Sequence, residues 1–289
     1  MFTIGDFEAH LINDVTTQVD GGGAFGLVPR KLWSRYFAYD EDNLVPMAQN
    51  CLFVRANGKN ILVDTGLGTR LEDKQRRFWK VSGEGGLLRG LATLGVAPHD
   101  IDLVINTHLH SDHCSGNISF VDDNKQDVRP TFPNAEYVVQ RGEYEMAMQP
   151  NERTVATYLP VNYEPLVKSG QMRLLDGDTE ILASVWGIVT RGHTPHHMSV
   201  RLESQNQHAM FVCDTASYAV HFEKLAWMTA YDVEPLHTLE TKRKLQKWAL
   251  ETNAILIFPH DPFRPMGRLQ LSENSTPMID PIADPYVNA

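Results

Sequence analysis

Four potential metal ligands fall within six residues of one another, directly after a run that reads as a buried strand, and this junction restricts the chain more than any other feature. Ile101 to Ile105 is an aliphatic, β-branched run broken only by Asp102, and Thr107-His-Leu-His-Ser-Asp-His113 follows it. Side chains of an extended segment repeat with period two, so His108 and His110 project to the same side. Asp112 and His113 come next in the turn, and Gly116 lets the backbone curl away. Imidazole nitrogen mixed with carboxylate oxygen suits zinc and, less selectively, iron, manganese or cobalt. A catalytic zinc takes about three protein ligands and keeps one position open. Four donors in one loop therefore point to two divalent metal ions.

Three further segments put single donors at strand ends, where active sites of sheet proteins collect. Arg191-Gly-His-Thr-Pro-His-His197 follows the strand-like Ile188-Val189, Phe211-Val-Cys-Asp214 ends an apolar run with a carboxylate, and Ile255-Leu-Ile-Phe-Pro-His260 ends the last strand with a histidine. Taken singly, each is weak, because an isolated histidine is more often a core or surface residue. Taken together, they resemble the metallo-β-lactamase superfamily: His-x-His-x-Asp-His, a distant Gly-His-Thr-Pro, a strand-ending Asp and a strand-ending His, with Val63-Asp-Thr-Gly66 as the early strand-turn. The resemblance covers nearly the whole chain and implies an α/β (α+β) fold, a four-layer αββα sandwich of two mixed sheets with helices outside. It also implies a ligand set, with His108, His110 and His193 on one metal, Asp112, His113 and His260 on the other, and Asp214 bridging them. Asp64 would orient ligand histidines by fixing their second ring N–H; as a turn aspartate it would instead accept backbone N–H groups. His197 fills a position usually occupied by histidine, while His196 is a local departure with no metal role. His10, His99, His208, His221 and His237 have no such context and read as surface histidines.

The remaining pattern is of strands and helices in alternation. Phe2 to Val15 reads as strands, and Asn50–Arg55 with Lys59–Val63 as a hairpin turned at Asn57-Gly58. Leu87 to Leu94 is helical with Gly95 as its stop. A strand over Ala135–Val139 precedes a helix over Gly142–Met148, and Ser184–Val189, Ser199–Leu202, Met210–Cys213 and Ala254–Phe258 are further strands. The clearest helix is Pro235 to Thr252, with Leu236, Leu239, Leu245, Trp248 and Ala249 expected inside and Lys242-Arg-Lys244 outside. From Glu273 the chain is a proline-rich arm or frayed end. With no repeat and no linker, the 289 residues are expected to form a single domain, 1–289, with a glycine- and aromatic-rich loop at about 20–45.

A net charge of −10 argues against a nucleic-acid partner or an anionic membrane surface. The absence of a basic-then-apolar N-terminus and of any apolar run of roughly 18 residues makes a cytoplasmic location the default. Cys51, Cys114 and Cys213 form no C-x-x-C unit and read as free thiols.

The segment Gly21-Gly-Gly-Ala-Phe-Gly-Leu-Val-Pro-Arg-Lys-Leu-Trp33, with Thr131-Phe-Pro-Asn-Ala-Glu136 and Ala230-Tyr-Asp232, is similar to quorum-quenching N-acyl-homoserine lactonases and to related organophosphate triester hydrolases. The implied chemistry is hydrolysis by a metal-held water of lowered pKa, with a metal polarising the carbonyl and Asp112 passing the proton to the leaving group. Lactone opening is the first reading, and phosphotriester, other ester or thioester hydrolysis the alternative, in each case on a small molecule. Phe25 and Leu27 are the candidate apolar wall for an acyl chain; with Trp33 they would equally pack a core or the interface of the homodimer that the resemblance implies. Some lactonases place a catalytic tyrosine three residues after the bridging aspartate. Ser217 takes that place here, and Tyr218, one further on, is a candidate catalytic aid if a loop turns it inward. A glyoxalase-II-like thioesterase would carry a basic C-terminal segment, which this chain lacks, and a di-iron redox protein would replace ligands with Glu and append a flavin domain.

Overall fold

The computed structural model describes residues 1–122 and 127–287. The N-terminal strands build one sheet in the order β1 (Phe2–Ile4), β2 (Phe7–Asp20), β3 (Leu44–Ala56), β4 (Lys59–Val63), β5 (Leu103–Ile105), then, past a separate ribbon of β6 (Ile118–Phe120) and β7 (Val128–Pro130), β8 (Glu136–Gln140) and β9 (Met172–Leu175). The C-terminal sheet runs β10 (Thr179–Leu182), β11 (Val185–Val189), β12 (Met198–Ser204), β13 (Gln207–Phe211), β14 (Ile255–Ile257), β15 (Met266–Leu271) and β16 (Pro277–Pro281). β3 and β4 meet through Asn57 and Gly58, both at positive φ, which is what a two-residue hairpin turn requires. The parallel pairs β4·β5, β8·β9 and β13·β14 need long crossovers. The helices Gly86–Thr93, Arg141–Met148 and Pro235–Thr252 lie in those three connections.

Alternation along the strands sets the layers. Leu52 and Val54 of β3 face inward and meet Val200, Leu202, Phe211 and Ile257 of the second sheet. Phe53, between them, faces outward and packs with Leu62, Leu87 and Leu91 under the first helical layer. On the far side Met210, Val212 and Leu256 pack against Phe222, Leu245 and Ala249. The result is the expected αββα sandwich, with the ends of β5, β11, β13 and β14 delivering their loops to one edge.

Several sequence expectations are corrected. The helix Pro235–Thr252 has the expected span, but its buried stripe is Thr238, Lys242, Leu245, Gln246 and Ala249, while Leu236 is 77% exposed. Lys242 lies inside: its ammonium donates to the His221 and Trp227 carbonyls, and burial lowers its pKa to about 8. His10 and His221 are buried as well, the first against Glu8 and the second edge-on to Phe25 and Tyr218. The 20–45 region holds two short helices, Gly21–Phe25 and Arg30–Trp33, the first capped by Asp20, whose carboxylate accepts from Gly22 N. The three cysteines are buried and free, and the C-terminal arm is tied down by β16 and by the Tyr286 hydroxyl on Asn50. No helix among the described residues is long and apolar enough to cross a membrane.

Candidate metal centre

The loop after β5 is shaped by Asp64, which sits at the end of β4 with φ +57. Its carboxylate accepts the Thr107 N–H and hydroxyl, both at 2.8 Å, and lies 2.9 Å from His113 Nδ1. One side chain thus ties the start of the His108–His113 segment to its end. A single helical turn, Ser111–Cys114, turns His113 back over the strand ends. His193 arrives on the β11–β12 loop after Gly192, where a Cβ would stand 2.3 Å from Thr238 Oγ1, so only glycine lets this loop approach the long helix. Asp214 sits in the turn after β13 and His260 just beyond β14, its N–H on the Ser217 carbonyl.

Three of the histidines have one nitrogen committed to an oxygen acceptor. His113 Nδ1 faces Asp64, His193 Nδ1 faces Asp232 at 2.9 Å, and His260 Nδ1 faces the Ala48 carbonyl at 2.8 Å. Each Nδ1 must therefore carry the proton, which leaves the Nε2 lone pair of the neutral ring pointing into the centre. Those lone pairs crowd. His113 Nε2 and His260 Nε2 are 3.2 Å apart, His193 Nε2 and His110 Nδ1 are 3.0 Å apart, and the buried His108 Nε2 has no partner. Asp214 stands among them, its carboxylate 3.0 Å from His260, 3.2 Å from His193, 3.3 Å from His113 and 3.8 Å from His108. Asp112 is 3.7 Å from both His113 Nε2 and His260 Nε2. Ring nitrogens converging this closely around one carboxylate call for a cation among them, a proton or a metal, and the donor set fits divalent metals.

The donors fall into compact groups: His108, His110 and His193 form one, and Asp112, His113 and His260 another. A third grouping joins His108 and His113 to Cys213, but through the Nδ1 edges that Thr107 and Asp64 already occupy. Burial pushes the Cys213 thiol up, away from the thiolate a metal needs. Burial, aided by neighbouring histidines, holds His108 and His110 well below the usual imidazole range. Burial alone would raise the Asp214 carboxyl, but His260, His193 and His113 outweigh it and keep it ionised.

Two residues of the site carry no sequence signal for their role. Asp232 anchors His193 and is itself held by Thr229 and Thr238 hydroxyls. His197 takes the Asp214 N–H on Nε2 and pairs through Nδ1 with Thr190, and burial lowers its pKa to about 3. Asp232 belongs to the Ala-Tyr-Asp stretch used for resemblance, and nothing in that stretch signals its partner on a loop 39 residues away.

Over the cluster opens a cavity of about 230 Å³, floored by His110, His193, Asp214 and His260 and walled by Val19, Met47, Leu67 and Trp79. Asp112 and Tyr218 also line it, and no Lys or Arg does among the described residues. Tyr218 turns its hydroxyl to the Pro46 carbonyl, 3.4 Å away, while Ser217 donates to Asp214. The expected acyl wall is corrected. Phe25 is fully buried behind Tyr218, stacked on Trp33 at 4.9 Å, and Leu27 points wholly into solvent; neither lines the cavity. Val19 and Ala24 from the same region line it instead.

The Metallo-beta-lactamase superfamily model matches residues 44–243. An N-acyl homoserine lactonase of Bacillus cereus is 27% identical over 231 residues, which are 76% of this chain and 83% of that protein. A probable metal-dependent hydrolase from Staphylococcus aureus superposes with a TM-score of 0.86 at 27% identity, covering 96% of this chain and 98% of that one. A dizinc quorum-quenching lactonase, solved in complex with a product, shares the fold with a TM-score of 0.79 at 21% identity, covering 98% and 96%.

Proposed function

The chain belongs to the metallo-beta-lactamase superfamily and is a metal-dependent hydrolase, and on that footing we propose that it opens the ring of N-acyl homoserine lactones or similar neutral lactones at a two-metal centre. The observation that carries this reading is the pairing of two donor sets around Asp214 with an apolar-walled cavity that no Lys or Arg among the described residues lines. A substrate with an anionic tail would call for an Arg or Lys on the wall. A neutral ester with an apolar chain needs neither.

In this reading His108, His110 and His193 would hold one metal and Asp112, His113 and His260 the other, with Asp214 facing both donor sets. Bound there, divalent metals supply a water of lowered pKa and a Lewis acid for the carbonyl oxygen. The protein's own part is positional. Asp64, Asp232 and Ala48 fix three imidazoles in the tautomer that aims Nε2 inward. The wall of Val19, Met47, Leu67 and Trp79 receives the apolar chain and excludes water from the carbonyl. Asp112, the one carboxylate of the set with a quarter of its side chain exposed to the cavity, takes the proton given up as water adds to the lactone carbonyl. It returns that proton to the ring oxygen as the acyl–oxygen bond breaks. Tyr218 shapes the wall beside it, and rotation of its hydroxyl away from Pro46 would let it donate to the carbonyl oxygen.

The test is a substrate panel with metal counting. Metal-replete protein is expected to carry two metals per chain by elemental analysis and to hydrolyse acyl-homoserine lactones in a chelator-sensitive way. Fewer than one metal per chain, or hydrolysis indifferent to chelator, overturns the reading. Turnover of a neutral phosphotriester without lactone turnover moves the substrate assignment to that class.

A further inference from the structure

The histidines around Asp214 are steadied from two directions. On the Asp112 side, His113 rests on Asp64 and His260 on the Ala48 carbonyl. On the other side stands a second carboxylate that does not reach the cavity. Glu143, on the helix Arg141–Met148, is completely buried, an uncommon place for an acidic side chain. One of its oxygens accepts the Leu109 N–H at 3.1 Å and the Tyr158 hydroxyl at 3.0 Å; the other accepts the Thr194 hydroxyl at 2.6 Å. Burial raises its carboxyl, and these three donors offset part of that.

Each partner of Glu143 adjoins the same group of ligands. Leu109 lies between His108 and His110, and Thr194 directly follows His193. The Tyr158 ring packs 5.0 Å from the His110 ring, and its backbone bridges to His110. None of the three touches Asp112 or His260 through Glu143. A carboxylate that gathers donors from loops 34 and 51 residues away acts as a clamp between them. Charge-assisted hydrogen bonds of this kind fix geometry more firmly than neutral ones.

We propose that Glu143 is a positioning residue for one half of the centre, holding the His108–His110–His193 set in register together with Asp232 at His193, while Asp64 and Ala48 hold His113 and His260. The proposal rests on the two-metal reading above. Glu143→Gln keeps the side chain's size but removes its charge, and its amide NH₂ forces one hydroxyl partner, Thr194, to turn from donor to acceptor while the Leu109 N–H holds the remaining oxygen.

The experiment is stepwise chelator competition, with zinc for the constants and cadmium-113 resonances to tell the nitrogen-rich half from the carboxylate-bearing half. Glu143→Gln is expected to weaken the nitrogen-rich half about 10- to 100-fold, the usual consequence of removing an outer partner, and to leave the other constant and its resonance in place. Asp64→Asn, which disturbs both Thr107 beside His108 and His113, is expected to weaken both halves and so to lack the asymmetry of Glu143→Gln. Equal weakening of both metals by Glu143→Gln, or a lower melting temperature with both constants unchanged, overturns the proposal by making Glu143 a general stabiliser of the fold. Should the Gln variant not fold, Tyr158→Phe removes one donor at nearly constant volume and must show the same asymmetry on a smaller scale; equal weakening there overturns it too. Wild-type protein that binds a single metal would instead strike at the two-metal reading itself.

Discussion

The floor of the cavity and the rim between Gly21 and Tyr39 lie side by side and are held by opposite means. At the floor, ring nitrogens meet carboxylate and carbonyl oxygens at 2.8–3.3 Å, and most imidazoles have an oxygen partner behind them. At the rim, Phe25, Trp33, Phe37 and Tyr218 form a buried aromatic cluster at centroid distances of 4.8–5.6 Å. Metal chemistry accepts few donor types in few arrangements. Packing accepts many side chains of suitable volume. The floor can therefore fail chemically while the fold survives, and the rim can fail mechanically while the floor keeps its donors.

Asp214→Ala should give the largest effect. It withdraws the one carboxylate that faces four histidines, and hydrolysis should fall by more than about 100-fold, beyond what loss of an outer partner costs. Elemental analysis should show metal lost with it. Retention of both metals and of turnover would mean that the floor does not depend on its central charge. Phe25→Ala is the matching cut at the rim. Removing a fully buried, doubly stacked ring should cost about 3–5 kcal/mol of stability, read from the denaturant midpoint, with metal content unchanged in the protein that remains folded. Metal loss in proportion to Phe25→Ala destabilisation would show the two regions to be one cooperative unit.

The same contrast decides what could be read in advance. His108 to His113 stand out because four donors crowd one segment, whereas His193, Asp214 and His260 stand out only through the family pattern that joins their separate segments. The hairpin at Asn57-Gly58 and the span of the helix Pro235–Thr252 are local too. What escaped notice depends on partners far along the chain. Glu143 and Asp232 look like ordinary acidic residues until the fold brings Leu109, Thr194 and His193 to them. Lys242 reads as exposed on its charge alone. Yet 238, 242, 245 and 249 mark a stripe of helical period, and Leu236 lies off it. Long lysine stems bury readily when carbonyl acceptors wait at the end, as those of His221 and Trp227 do here. His221 and Phe25 share that history: both lie in a segment whose sequence gives no period, and only the aromatic cluster decides their burial.

Leu27 gives the smallest expected effect and the sharpest test of where the rim ends. It is fully exposed at 103%, in the turn after the helix Gly21–Phe25, and the cavity does not include it. Leu27→Ser should shift stability by less than about 0.5 kcal/mol, as surface changes away from special features do. It should also leave KM unchanged across a series of lactones of increasing acyl length. Val19 and Met47, which do line the wall, supply the contrast: shortening either should raise KM more for long chains than for short ones. A chain-length-dependent rise in KM for Leu27→Ser would mean that the turn folds over bound substrate, making the rim part of the binding site. A change confined to sedimentation behaviour would point elsewhere, because Leu32 and Tyr36 are also exposed close by in sequence and an apolar patch of that kind serves association. Both outcomes would alter the account of the rim and leave the histidine floor as it stands.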